Sequence, residues 1–216
     1  MKIKLTLIIA VLILLRPAAM ADQTAYPVSA TIPPGGITIN AYAVNFNKQF
    51  LPVGAPTSVS TLPFGTLVLD QTVDPNTKKP YNVYRMDQTK GISYYAIEVA
   101  VAGAGAPDTT VTYAEGVDPT GSTTTLGSRT KATFDKEVLP TGATLPTETT
   151  LATKSLSDMT GSGYKVAYTT VAGGWLRIYV GVCGGDSTDP STCQPFTPAD
   201  SVGTYNGQLT ITAVVN

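Results

Sequence analysis

The sequence of 216 residues has no histidine, only two cysteines, a single tryptophan and little charge, 13% of its residues. Without histidine there can be no Ser-His-Asp or Cys-His nucleophilic site, and the commonest zinc ligand is missing. No Gly-x-Ser-x-Gly elbow, P-loop or dinucleotide fingerprint occurs. Gly103-Ala104-Gly105 is a lone glycine-rich fragment without a third spaced glycine, which reads as a loop. These gaps argue against an enzyme and against a cofactor. Residues 22–216 carry fifteen acids against eleven bases, a net charge of −4, with no cluster of Lys or Arg. Binding phosphates or anionic lipid needs concentrated positive charge, so nucleic acid and electrostatic membrane docking are not expected.

Carboxylates are present in pairs. Asp70 and Asp74 flank a strand end, and Asp186 and Asp189 lie close to Asp200 in sequence. Paired carboxylates serve glycosidases and calcium sites, but Asp186-Ser187-Thr188-Asp189-Pro190 lacks the EF-hand spacing, and Asp is also a common turn residue. Calcium at this loop and plain turn chemistry both remain open. Cys183 and Cys193 are expected to form a disulfide, given their proximity and the export signal described next. The nine residues between them are small or turn-forming. A bridge across so short a loop contributes roughly 2–3 kcal/mol and pins one loop, leaving the rest of the fold to its core.

Residues 1–21 read as a secretory signal. Lys2 and Lys4 precede an apolar run from Leu5 to Leu15, and Ala19-Met20-Ala21 supplies a small-x-small cleavage site before Asp22. The run is short for a membrane span, so no span is expected after cleavage. Next, Tyr26, Val28, Ala30 and Ile32 alternate with Pro27, Ser29 and Thr31 up to Pro33-Pro34-Gly35-Gly36, a short strand followed by a hinge over residues 22–36.

The remainder, 37–216, is rich in Thr, Val, Tyr and Gly, and its length suits one all-β sandwich domain. Strands are expected from Ile37 to Phe46, Val59 to Leu69, Tyr81 to Met86, Ile92 to Ala102 and Thr109 to Ala114. Tyr95, Ile97, Val99 and Val101 share one face, and Glu98 marks the other as the wet one. Tyr164–Ala172 and Trp175–Cys183 flank Gly173-Gly174, the pattern of a tight hairpin. Leu176, Ile178, Val180 and Val182 then face the core, with Trp175, Arg177 and Tyr179 outward or toward a partner. Thr147 to Met159 has weak helical character, and 103–107 and 118–130 read as surface loops. The final strand has Tyr205, Leu209, Ile211, Ala213 and Val215 on one parity and Thr204, Asn206, Gln208, Thr210 and Thr212 on the other. With no later residues to pair it, its cover is expected from elsewhere.

The tail Gly203-Thr204-Tyr205-Asn206-Gly207-Gln208-Leu209-Thr210-Ile211-Thr212 resembles the final strand of chaperone–usher pilins and their spore-coat-U-like relatives, which commonly carry a glycine fourteenth from the C-terminus. Leu62-Pro63-Phe64-Gly65 resembles the Phe-Gly strand start of several such pilins. Val215 stands where many of them have tyrosine, and the cysteine pair comes late in the domain. The resemblance implies an immunoglobulin-like sandwich lacking its last strand, filled first by a periplasmic chaperone and then, at an outer-membrane usher, by another subunit. It casts Tyr26, Val28, Ala30 and Ile32 as donor strand. Gly203, Tyr205, Leu209, Ile211, Ala213 and Val215 become the acceptor. The product is a structural subunit of a surface filament or coat. The competing reading is a self-complete monomeric sandwich that binds a glycan or a surface protein through Trp175 and its tyrosines.

Overall fold

Alternating β-branched and aromatic residues build the chain into strands whose two parities lie on opposite faces. The computed structural model describes residues 37–44, 57–87, 94–101, 107–137, 148–172 and 174–215. The signal sequence, the donor strand with Tyr26, Val28, Ala30 and Ile32, and the hinge lie outside the described residues. Among the described residues the strands are β1 Ile37–Val44, β2 Thr57–Val59, β3 Val68–Asp70, β4 Val83–Arg85, β5 Tyr94–Val101, β6 Pro107–Glu115, β7 Thr130–Glu137, β8 Glu148–Ser155, β9 Tyr164–Val166, β10 Trp175–Val182 and β11 Gly207–Val215. The helices among the described residues are single turns: α1 Leu126–Arg129, a 3-10 turn Leu156–Met159 and α2 Tyr168–Val171. No helix among the described residues is long and apolar enough to cross a membrane.

The fold is an all-β sandwich. One antiparallel sheet has the order β2-β1-β5-β10-β7-β8, a second has β11-β6-β9, and β3-β4 forms a separate ribbon. The register lines up Ala41, Ile97, Ile178 and Phe134 across four strands of the large sheet. Those side chains meet Val111, Tyr113, Leu209, Ile211 and Ala213 of the second sheet in one core. Leu176, Ile178 and Val180 are buried as their parity requires, and so are Tyr95, Ile97 and Val99.

The opposite face of the large sheet differs from the expectation. Arg177 is 2% exposed, Tyr179 5% and Glu98 8%, so the parity expected to be wet or partner-facing is buried at its centre. Arg177 sits opposite Glu98 on β5 and Asp135 on β7. Its Nη2 lies 2.9 Å from Glu98 Oε2, and its Nη1 lies 2.8 Å from Glu137 Oε1. The ion pairs allow these charges to leave water, which an isolated charge would resist. Among the described residues of this face Arg177 and Tyr179 are buried and Trp175 is half-buried.

Other elements also depart from sequence expectation. No hairpin joins β9 to β10: β9 pairs with β6 in the second sheet, and the chain returns through α2. Gly174 is required instead for close approach, since a Cβ there would collide with the Glu137 carbonyl oxygen. The stretch read as helical is mainly strand β8, and only its last four residues form a 3-10 turn. Pairing with β7 overrides the local preference. The second half of the 118–130 insert is interior structure, because Thr124, Leu126 and Thr130 are buried around α1. The strand expected over Val59–Leu69 is broken, with irregular backbone between β2 and β3 and a positive φ of 69° at Gly65.

Candidate strand-acceptor groove

β11 pairs with β6 along its whole length, from Gly207 opposite Glu115 to Val215 opposite Pro107. It is the edge of its sheet, and no described strand pairs with its other side. Leu209, Ile211 and Ala213 point inward and are buried, while Thr212 and Val214 on the reverse face are exposed. The start of the strand is fixed by close packing: a Cβ on Gly207 would collide with the Tyr113 hydroxyl and ring. Tyr113 is held in turn by the hydrogen bond its hydroxyl donates to Glu115 Oε1 at 2.9 Å.

Beside β11 runs an apolar groove. Its lining brings together Ser60, Thr61, Leu62 and Phe64 of the irregular segment after β2, Ile97, Val180, Leu126 and Leu156, and Leu209 and Ile211 of β11. The free space within it is about 40 Å³. The segment 60–64 is fastened to the large sheet through Tyr95 of β5. The Tyr95 hydroxyl donates to the Pro63 carbonyl at 2.5 Å, and the Phe64 and Tyr95 rings lie 6.0 Å apart. Burial pushes the Tyr95 hydroxyl above its ordinary pKa, so it remains a donor at any working pH. An edge strand with one described neighbour, beside an apolar trough, can bind an extended strand and seat its alternate side chains.

The six residues expected to form the acceptor separate into two groups. Leu209 and Ile211 line the groove and Ala213 joins the core behind them. Gly203 and Tyr205 precede the strand. A Cβ at Gly203 would press the Pro119 ring at 2.8 Å, and Tyr205 packs its ring 5.0 Å from Phe196 while donating to the Ser201 carbonyl at 2.8 Å. Val215 is the last residue of β11. Ala41, Leu126 and Leu156 belong to the lining but carried no sequence signal as a group, being far apart in the chain. Phe64 and Leu62 did carry one, in the Leu-Pro-Phe-Gly element.

Cys183 and Cys193 form the expected disulfide, and both are buried. An oxidised bridge is consistent with an exported protein. Within its loop, Asp189 Oδ2 accepts from the Gly185 N–H at 2.6 Å, Asp189 Oδ1 pairs with Lys131 at 2.5 Å, and Asp186 accepts from the Thr188 N–H at 2.8 Å. The carboxylates thus brace the loop from inside. Asp70 pairs with Arg85 at 2.8 Å, and Asp74 accepts from the Asn76 N–H at 2.7 Å. Asp200 joins Arg129 at 2.8 Å and Thr124 at 2.5 Å. Among the described residues no group of three or more His, Cys, Asp or Glu is arranged to hold a metal.

No family model, curated protein or solved structure matches this chain.

Proposed function

We propose that this chain is an exported structural subunit of a bacterial surface filament or coat, assembled when a strand of one subunit completes the sandwich of another. The observation that carries the reading is the β11 edge, with a single described neighbour, lying above an apolar groove. The strand order supports it. With the short strands and the edge strand β8 set aside, β1, β5, β6, β7, β10 and β11 follow strands A to F of a constant-type immunoglobulin sandwich. The order β1-β5-β10-β7 corresponds to A-B-E-D, and β6-β11 to the C–F pair. Strand G of that fold would lie along the open side of β11.

The donor is the alternating stretch Tyr26, Val28, Ala30 and Ile32, exported by the 1–21 signal and carried on a Pro-Pro-Gly-Gly hinge. Strand addition gives affinity through main-chain hydrogen bonds and register through the side-chain pockets. A head-to-tail contact of this kind does not close on itself and so generates fibres. By resemblance, a periplasmic chaperone and an outer-membrane usher handle the subunit before it polymerises.

The test separates donor from acceptor. Val28→Asp places a charge on the donor strand and leaves the core intact, so the variant is exported and folded but forms no filaments. A peptide of residues 22–32 restores solubility to a domain that lacks them. If Val28→Asp unfolds a protein that is monomeric in its unmodified form, residues 22–32 are an ordinary internal strand and the proposal fails.

A further inference from the structure

The disulfide lies outside the groove lining, yet its hydrogen bonds lead to the two turns whose leucines belong to that lining. The Cys183 N–H donates to the Arg129 carbonyl at 2.9 Å, and the Gln194 N–H, just past the other cysteine, donates to the Ser128 carbonyl at 3.0 Å. The end of α1 is thus held from both sides of the bridge. From the same loop, the Thr192 hydroxyl donates to Asp158 Oδ2 at 2.6 Å. Asp158 is one half of the capping box that starts the 3-10 turn at Ser155. The first residue of α1 is Leu126 and the first residue of the 3-10 turn is Leu156, and both line the groove.

Neither turn is long enough to be stable alone, since a single helical turn does not repay its nucleation. Each takes its position from what it touches. The two turns pack on each other, and a Cβ at Gly127 would press the Tyr113 ring at 2.6 Å and the Ser157 nitrogen at 3.1 Å. That face leaves no slack, and the disulfide loop restrains the other side beside the Gly127 N–H bond to Glu115 and the Arg129–Asp200 ion pair. The strands depend on the loop much less. β10 pairs with β7 over its whole length and with β5 from Leu176 to Val180, and a link between residues ten apart restrains little of the unfolded chain.

We infer that the Cys183–Cys193 bridge is a positioning element for the groove, and that the domain accepts a strand only once the bridge has formed. The inference rests on the strand-acceptor reading above. Closing the bridge removes two electrons and two protons from the two thiols. The acceptor is a disulfide of the thiol–disulfide exchange class, which leaves as a dithiol. Oxidation after export then links entry into the oxidising compartment to competence for assembly.

The experiment uses the full chain carrying Val28→Asp, which disables its own donor strand and leaves its groove unaltered. Capture of a fluorescent peptide with the sequence of residues 22–32 is measured for three forms: the oxidised chain, Cys183→Ser/Cys193→Ser, and Thr192→Val, which keeps the bridge but cuts its tie to the 3-10 turn. Amide exchange is followed on the same samples. The expected result is peptide capture at least tenfold weaker without the bridge, with an intermediate loss in Thr192→Val. Exchange should be faster at residues 126–129 and 156–159, with β5, β7 and β10 still protected. Equal capture with and without the bridge overturns the inference, as does unchanged exchange in the two turns. If the double serine variant loses protection throughout, Thr192→Val decides, and unchanged capture by it overturns the inference. Capture by none of the forms, the oxidised one included, defeats the strand-acceptor reading. In that case the exchange data still judge whether the bridge holds the two turns.

Discussion

β10 and β11 look alike as sequences, each alternating apolar with polar residues, but they occupy opposite situations. β10 lies inside the large sheet with neighbours on both edges, and its two faces are both buried at the centre. β11 has one described neighbour and one buried face, with Thr212 and Val214 exposed on the other. Alternation therefore identifies which side chains share a face. It does not say whether the polar face is wet. On β10 the polar face became an ion-paired layer around Arg177, while on β11 it remained a surface.

The largest test of that difference is Arg177→Met. It leaves Glu98 and Glu137 buried without their guanidinium and should cost about 3–5 kcal/mol in urea unfolding. A loss below about 1 kcal/mol would mean that the carboxylates regain water easily and that this face is covered only loosely. Next in size is Gly207→Ala at the head of β11. Its methyl group would displace the Tyr113 ring, break the hydroxyl bond to Glu115 and cost about 1–3 kcal/mol. The same denaturation series measures it, and a neutral outcome would show that the β11–β6 junction yields.

Acid should loosen the disulfide end of the molecule. Burial raises the Asp158 pKa, but hydrogen bonds from Thr192 and Ser155 outweigh it and hold the carboxyl below its ordinary value. Asp186 is lowered in the same way, its burial outweighed by the bonds from Thr188. At Asp200 the opposing bonds come from Thr124, the Thr197 N–H and Arg129. A carboxyl whose folded pKa is depressed adds stability that is present above its unfolded pKa and lost as pH falls through the folded one. Stability should accordingly hold above about pH 4 and decline below it. Thermal unfolding between pH 6 and pH 2 reads this out, and Thr192→Val should flatten part of the decline. The smallest effect is expected for Thr212→Lys on the open face of β11, within about 0.5 kcal/mol of the parent. A much larger loss would show that this face is covered after all.

Much of the strand architecture was legible from residue order. The inward parities of β5, β10 and β11 follow from Tyr95, Ile97, Val99, Leu176, Ile178, Val180, Leu209, Ile211 and Ala213, because side-chain alternation is a local property of extended backbone. The disulfide was legible for a similar reason, its two cysteines being close in the chain. Half of the groove was visible as well, in the β11 alternation and the Leu-Pro-Phe-Gly element. The Gly173-Gly174 signal misled, since a diglycine marks a bend and does not say with which strand the next segment pairs. Thr147–Met159 misled because pairing with β7 outweighed a weak local preference for helix.

By itself the sequence determined that this chain forms strands, which residues of each strand lie together, that its two cysteines would join, and that catalysis based on histidine is excluded. Only the tertiary structure decided which strands became neighbours, that Glu98 and Arg177 would meet from positions 79 residues apart, and that Leu62, Leu126, Leu156 and Ile211 would line one groove. The physical reason is range. Backbone alternation acts between adjacent residues, whereas the cover on a sheet face and the walls of a groove come from distant segments whose meeting depends on the packing of the whole domain.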